Sequence, residues 1–456
     1  MFKFLTANKD LRNETEKTYY KHIFYIAMAC FIFIFFLMAF ITNGESFDGL
    51  FFNNNSDTFM DHYNSVVYTD IDPYENGVIY PPLATFTYGC LRKIIPADFF
   101  NSIVSDPTIL SQPKDMKSNQ GFIFQFLIFS VAVVFMLLAT LYLCKKGSTC
   151  EKAFFSFLVL FSAPMMYAFE RGNNIVIPLI FSLIFVNYYD SKNKVLKEFA
   201  LISLGIAVAF KLYPIAFGVL LFRNKQYKEL FRAGIYCCVL TILPFFLFYD
   251  GFQSIDNFLT RIQQFDDKRS TAVNINGQLS FKSMVYYIAG FLRIKLSNIE
   301  LVATIFRYAI TGLCIAGTFF VKSNWKAAVL CACFICGYQG SCPRYLLIFF
   351  FVPILMFIDC EKKKSWVNYV CLIFLILIVA PMALPDPNVP EWTVYTSGKV
   401  SSISMLAVAF IIIGELFFVY LSAFVKYINK KARGVKNTEM QSESLPVTDG
   451  GDTDVE

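Results

Sequence analysis

Two stretches of this chain, residues 23–41 and 121–144, carry no charged side chain from end to end. A helix of about 20 such residues matches the hydrocarbon thickness of a bilayer. Further apolar runs lie at 153–168, 174–189, 233–249, 299–321, 345–358, 366–384 and 400–425, with a shorter one at 327–338. Composition agrees: 56% of residues are apolar and only 16% charged, too few charges to cover a soluble surface. A soluble enzyme, a disordered chain and a secreted disulfide scaffold are excluded. The 13 Cys sit mostly inside apolar runs, where they act as small hydrophobes without zinc-ligand spacing. Only two His are present, so no His-based metal centre or Ser/His triad is expected, and no cofactor. The net charge of +6 is modest and does not imply nucleic acid.

Charge placement gives the topology, because short cytoplasmic loops collect Lys and Arg. The segment up to Lys21, the loops around Lys145, Lys192, Arg223, Lys322 and Lys362, and the segment after Lys426 together hold 25 of the 40 basic residues. All are expected on one side, with both ends of the chain cytoplasmic. The fold expected is all-α: a polytopic membrane protein of about ten spanning helices plus short re-entrant or interfacial helices. Residues 1–22 are read as a cytoplasmic tail, 23–427 as the membrane domain with main external loops at 42–120 and 250–298, and 428–456 as a basic, then polar, disordered tail. The Phe-rich runs, such as Phe349-Phe350-Phe351, are read as lipid-facing and packing surface.

The run 199–222 has a consequence. Basic residues Lys197 and Arg223 flank it, so it should enter and leave on the same side, as two short helices meeting at Lys211-Leu212-Tyr213-Pro214. Proline removes a backbone donor and crowds the preceding turn, which makes this a natural break. One kinked span with an offsetting error elsewhere is the alternative.

The first external loop holds Asp57 and Asp61, then Asp72-Pro73-Tyr74, then Tyr80-Pro81-Pro82-Leu83. Between residues 41 and 80 it has seven carboxylates and no Lys or Arg. Asp57 and Asp61 are four apart, and on a helix they would share a face. Repulsion between them would make one a better proton acceptor, as a general base requires; a solvated acidic loop is the other reading. After the prolines, residues 83–91 are too short to span and are expected to form an interfacial or re-entrant helix.

This order of elements (an Asp-led external segment, Asp-Pro-Tyr, Tyr-Pro-Pro-Leu, and later Lys-Leu-Tyr-Pro at 211–214) resembles the GT-C membrane glycosyltransferases. More narrowly, it is similar to glycosyltransferase family 87, the polyprenyl-phosphate-dependent mannosyl- and arabinosyltransferases, over roughly residues 23–222. Phe169-Glu170-Arg171-Gly172-Asn173-Asn174 stands where that family has a short polar Gly/Asn turn. The resemblance implies transfer of a mannose-like hexose or a pentose from a polyprenyl-phosphate sugar donor to an extracytoplasmic lipid or glycan acceptor. It implies an inverting mechanism, in a multi-pass protein of the bacterial cytoplasmic membrane with its site facing outward. The essential Asp maps to Asp57, with Asp61 the fallback. In such a displacement Asp57 would deprotonate the acceptor hydroxyl, and a preorganised cation would stabilise the leaving phosphate. Lys211 is the first candidate, because an intramembrane lysine is costly and usually functional. Arg171 is the second, capable of a bidentate phosphate contact but equally able to pair with Glu170. Tyr80, Tyr213, Asn174 and Arg344 complete the expected substrate-binding set. Arg307 and Glu415 read as structural groups bonded across the bundle. A secondary transporter or lipid flippase is the rival class, since these also use broken helices and buried charge; the acidic loop with Tyr-Pro-Pro and the lack of an internal repeat separate the two.

Overall fold

In a computed structural model, residues 19–47, 51, 58–69, 73–75, 78–98, 101, 120–248, 250–269, 279–295, 299–339, 342–362, 364–382 and 394–443 are described. Every regular element among them is an α- or 3-10 helix. Among the described residues, five helices are long and apolar enough to cross a membrane: Tyr20–Ile41, Gln120–Cys144, Tyr227–Leu247, Glu300–Phe320 and Gly398–Tyr427. A sixth span is possible if Thr149–Leu160 and Ala163–Glu170, bent by 58° at their junction, are counted as one. By length and composition the described residues thus support five or six crossings, and the expected ten are not confirmed. Uninterrupted apolar sequence does not guarantee one straight helix. The run 153–168 breaks at Phe161-Ser162, where Ser162 lies extended and Pro164 opens the next helix. The run 345–358 divides into a 3-10 helix, Arg344–Phe350, and an α-helix, Phe351–Cys360. Val176–Tyr188, Asn324–Gly337 and Trp366–Val379 are shorter than a bilayer-crossing helix.

Asn324–Gly337 is buried around most of its circumference and forms the axis of the core. Phe349, Phe350 and Phe351 are fully buried beside it, so this aromatic run packs the interior and does not face lipid. The last helix runs Val394–Glu443 and continues beyond its spanning part into the segment read as a polar tail.

The basic loops meet at one end of the bundle. Lys21 bonds Glu151 at 2.6 Å, and Lys145 forms an ion pair with Asp359. Arg223 donates to Asn324 Oδ1 at 2.5 Å and to the Lys322 carbonyl. Asn224 and Asn324 both donate to the Tyr189 hydroxyl, at 2.7 and 3.2 Å. Trp325 Nε1 donates to Glu361 at 2.6 Å. A pattern of charge read along the sequence is thus a single surface in three dimensions.

That surface also fixes the fate of segment 194–223. Asn193 caps the Lys194–Phe210 helix by accepting from the backbone N–H groups of Val195 and Leu196. Seventeen residues then carry the chain about 25 Å away from the basic end. Lys211 adopts an extended conformation and ends the helix. Pro214 sits in the first turn of the 3-10 helix Tyr213–Gly218, which continues as Val219–Arg223. Arg223 and Asn224 are bonded back at the basic end, so the chain leaves and returns on one side, with Lys211 at the far tip. The break lies at Lys211-Leu212; proline starts the return limb.

Candidate functional site

The prolines after Tyr80 organise one wall of this far end. Pro81 is extended and Pro82 is the first residue of the Pro82–Arg92 helix. A proline there lacks only an N–H that the helix would leave unsatisfied anyway. Tyr80 is thereby held just before the helix, buried, with its ring 6.3 Å from that of Tyr88.

A second wall is the turn after helix Ala163–Glu170. Phe59 N–H donates to the Glu170 carbonyl at 2.8 Å and Asp61 N–H to that of Arg171 at 3.1 Å, laying the start of helix Met60–Val67 along the turn. The Thr58 hydroxyl donates to Glu170 Oε1 at 3.2 Å. Gly172 permits this closeness: its φ is +64°, and a Cβ there would lie 2.9 Å from His62 Cβ and 3.3 Å from Phe59 Cα.

These walls bring the charged groups together. Arg171 donates to Asp61 Oδ1 at 2.9 Å and Asn173 Nδ2 to Asp61 Oδ2 at 2.7 Å. Asn173 Nδ2 also lies 3.2 Å from the Tyr80 hydroxyl. Lys211, only 4% exposed, holds its ammonium 3.9 Å from the centroid of the Tyr80 ring. Among the described residues no carboxylate forms an ion pair with it. The cation is held by a ring quadrupole, a weaker partner than an anion. Asp61 and Lys211, 150 positions apart in sequence, therefore share Tyr80 and Asn173 as intermediaries.

Burial keeps two neighbouring groups, His62 and Tyr80, in their neutral forms. His62 is buried against Phe126, Phe129 and Tyr88, with Nε2 2.9 Å from Gln125 Oε1. Burial holds its imidazole down to about 4, so it stays neutral near pH 7. Tyr80 is raised well above the usual phenol range, first by burial and then by the Asp61 charge. It acts as a neutral donor or acceptor, not as a phenolate.

Of the residues expected from sequence, Asp61, Arg171, Tyr80 and Lys211 converge here. Asp57 lies outside the described residues. Helix Met60–Val67 begins after the left-handed Phe59, and Asp61 lies in its first turn. Arg171 pairs with Asp61, and Glu170 turns inward to Thr58. Asn174 is buried beside Asn173, and among the described residues its amide oxygen and nitrogen have no hydrogen-bond partner. Tyr213 packs on the core at the start of the return limb. Arg344 is set apart, its guanidinium 5.8 Å from the Tyr167 ring and close against Gly398. Arg307 donates to the Tyr308 hydroxyl at 2.8 Å, and Glu415 pairs with Lys326 at the basic end, both as structural groups.

Sequence reasoning passed over two residues. Asn173 is the junction of the network; its Oδ1 also accepts from Ile175 N–H at 3.0 Å, so one side chain shapes the turn and binds Asp61. The available signal was an Asn just ahead of an apolar helix, the usual place for such a cap. Arg261 donates to the carbonyls of Tyr74 (2.5 Å) and Glu75, fastening the Pro73-Tyr74 element to helix Ser254–Arg269. Nothing in its local sequence marks that long-range contact.

Comparison with known families gives one match: the model of glycosyltransferase family 87 covers residues 117–338. The resemblance read from the sequence is therefore shown, and it indicates a glycosyltransferase. The matched region differs from the one expected. It starts after the acidic loop and extends well past residue 222, so it contains Arg171, Asn173, Asn174 and Lys211 but not Asp57, Asp61 or Tyr80. No curated protein and no solved structure matches.

Proposed function

With the family 87 match as the premise, we propose that this protein transfers a sugar, a mannose-like hexose or a pentose, from a polyprenyl-phosphate donor to a lipid or glycan acceptor outside the membrane, with inversion. The observation that carries this reading is the Lys211 ammonium, buried on the Tyr80 ring at the end of the bundle opposite the basic loops. A phosphate is a far better partner for it than an aromatic face. A donor carried by a lipid reaches such a site from within the bilayer, and no pool of soluble nucleotide sugar is expected on that side.

The step balances as follows. Asp57 takes the proton of an acceptor hydroxyl, whose oxygen bonds to the anomeric carbon from the side opposite the phosphate. The anomeric C–O bond to phosphate breaks and its electron pair leaves with the polyprenyl phosphate. Lys211 offsets the charge growing on that group, and a fixed cation does so without reorganising solvent. Arg171, oriented by Asp61 and seated on a turn that Asn173 shapes, is the second cation. Two of the oxygen lone pairs of Asp61 are already taken up by these bonds, which favours Asp57 as base and Asp61 as the residue that positions Arg171.

The test is purified full-length protein given a panel of polyprenyl-phosphate sugars, with release of the free lipid phosphate as the readout. Release with at least one donor, lost in Asp57→Asn while the protein stays folded and inserted, is the expected result. Transport of a labelled lipid across vesicles with no phosphate released would instead identify a flippase.

A further inference from the structure

A second cleft lies at the basic end, far from the Lys211 tip. Its volume is about 430 Å³, and it opens between the Glu300–Phe320 helix and the last helix. One wall is apolar, formed by Phe320, Leu416, Val419 and Tyr420. Phe320 and Tyr420 are both more than half exposed, with ring centroids 6.1 Å apart. The other wall carries Lys322, Lys326, Glu361 and Glu415, with Ser365 and Asn368 between them.

Its depth is set by where helices end. Phe320 is the last residue of one candidate span, while Ser323 and Ser365 stand just before helices Asn324–Gly337 and Trp366–Val379. The last helix continues to Glu443, beyond its spanning part. Helix ends that gather charge beside exposed aromatic rings mark the interface between hydrocarbon and headgroups. A ligand in the cleft has apolar helix surface on one side of it and paired opposite charges on the other.

We propose that this cleft binds one zwitterionic glycerophospholipid with a primary amine in its headgroup. Charge complementarity selects that class. The lining holds two cations and two carboxylates, with Lys326 paired to Glu415 and Glu361 bonded to Trp325, so a headgroup with one phosphate and one ammonium keeps the cleft neutral, whereas an anionic headgroup would bring net negative charge beside Glu361 and Glu415. The Lys326–Glu415 ion pair lies within the polar wall. Glu415 keeps a third of its side chain exposed, so an ammonium can reach it beside Lys326. Lys322 at the rim takes the phosphate. The acyl chains lie along Phe320, Val419 and Tyr420, which line the cleft and are exposed.

The experiment is native mass spectrometry of the full chain, purified in detergent, stripped of lipid and re-exposed to phosphatidylethanolamine, phosphatidylcholine and phosphatidylglycerol with matched acyl chains. One phosphatidylethanolamine should be retained, about fivefold over either other lipid at equal concentration, because trimethylation removes the donors to carboxylate and glycerol removes the cation. Lys322→Glu should reduce that retention about fivefold, and its exposed position leaves the lipid-free melting temperature unchanged. Equal retention of the three lipids, no retained lipid, or unaltered retention in a normally melting Lys322→Glu protein each overturns the assignment.

Discussion

The two ends of the bundle treat their charges differently. At the basic end Lys145 meets Asp359, Lys21 meets Glu151, Arg232 meets Glu198 and Lys326 meets Glu415. At the far end Arg171 has Asp61 and Lys282 has Glu300, but the buried Lys211 rests on an aromatic ring. A buried cation with its own carboxylate at the basic end, as Lys145 has in Asp359, has reached its strongest protein partner and holds helices together. A buried cation whose contact among the described residues is a ring has no ion-pair partner there, and on the function proposed above its attraction is kept for the donor phosphate. Removing charge at the two ends should therefore fail in different measurements: stability at one, turnover at the other.

The largest effect is expected at the external segment. Asp57→Asn should lower transfer by about 10²–10⁴-fold, the usual contribution of a positioned general base, with donor binding and folding retained. Asp61→Asn should also slow transfer but weaken donor binding, because Arg171 loses its orienting partner. Normal turnover in Asp57→Asn beside a dead Asp61→Asn would transfer the base to Asp61.

Next comes a stability effect at the opposite end. Lys145 and Asp359 are both nearly fully buried, and Asp359 also accepts from the Lys146 N–H at 2.8 Å. Lys145→Met strands a buried carboxylate and should cost about 3–5 kcal/mol in unfolding measurements, while the molecules still folded turn over normally. Lys211→Met should do the reverse: about 10²–10³-fold less turnover, weaker donor binding and little change in melting. If Lys211→Met melted far below the parent protein, the two ends would be alike and the ammonium merely structural.

The contrast between the ends was only partly legible in the sequence. Loops rich in Lys and Arg marked one surface, since charge near a membrane follows a rule that does not depend on packing. The Lys211 break was legible for the same reason: basic residues flank a run too long for one short limb and too interrupted for a straight helix. Tyr80-Pro81-Pro82 announced a helix start because proline geometry is local. What escaped depends on contacts between distant residues. Nothing near Arg171 says that it prefers Asp61 to its neighbour Glu170; the choice follows from Gly172 letting the Phe59 backbone come within a methyl group's distance. Apolar runs suggested more crossings than the described helices support, because hydropathy cannot tell a spanning helix from a short one buried in the bundle, as Asn324–Gly337 is.

Gly172 supplies the next prediction by size. Gly172→Ala must accommodate a Cβ 2.9 Å from His62 at a φ of +64°. A cost of about 1–3 kcal/mol in stability is expected, together with a loss of turnover as the Asp61–Arg171 bond is displaced. Unaltered turnover would show that the docking of helix Met60–Val67 on the turn does not set the geometry of the site.

The smallest effect is the most discriminating, because it concerns the link between the carboxylate and the cation. Tyr80→Phe keeps the ring under Lys211 but removes the hydroxyl near Asn173. The missing hydrogen bond, about 0.5–1.5 kcal/mol, should reduce turnover no more than about tenfold and leave donor affinity unchanged. Tyr80→Leu removes the ring as well, and Lys211 then loses about 0.5–2 kcal/mol of cation–ring attraction. The free ammonium is no longer held in place before the donor arrives, so donor affinity should change in Leu but not in Phe. Combined with Lys211→Met, the Leu substitution should have little further effect on donor binding, since its target is already gone, whereas the turnover loss of the Phe substitution should add in full. Additivity of Tyr80→Leu and Lys211→Met to within about 0.5 kcal/mol would mean that the ring and the ammonium act independently. The far end would then hold two separate charge sites, and the difference between the two ends would reduce to packing.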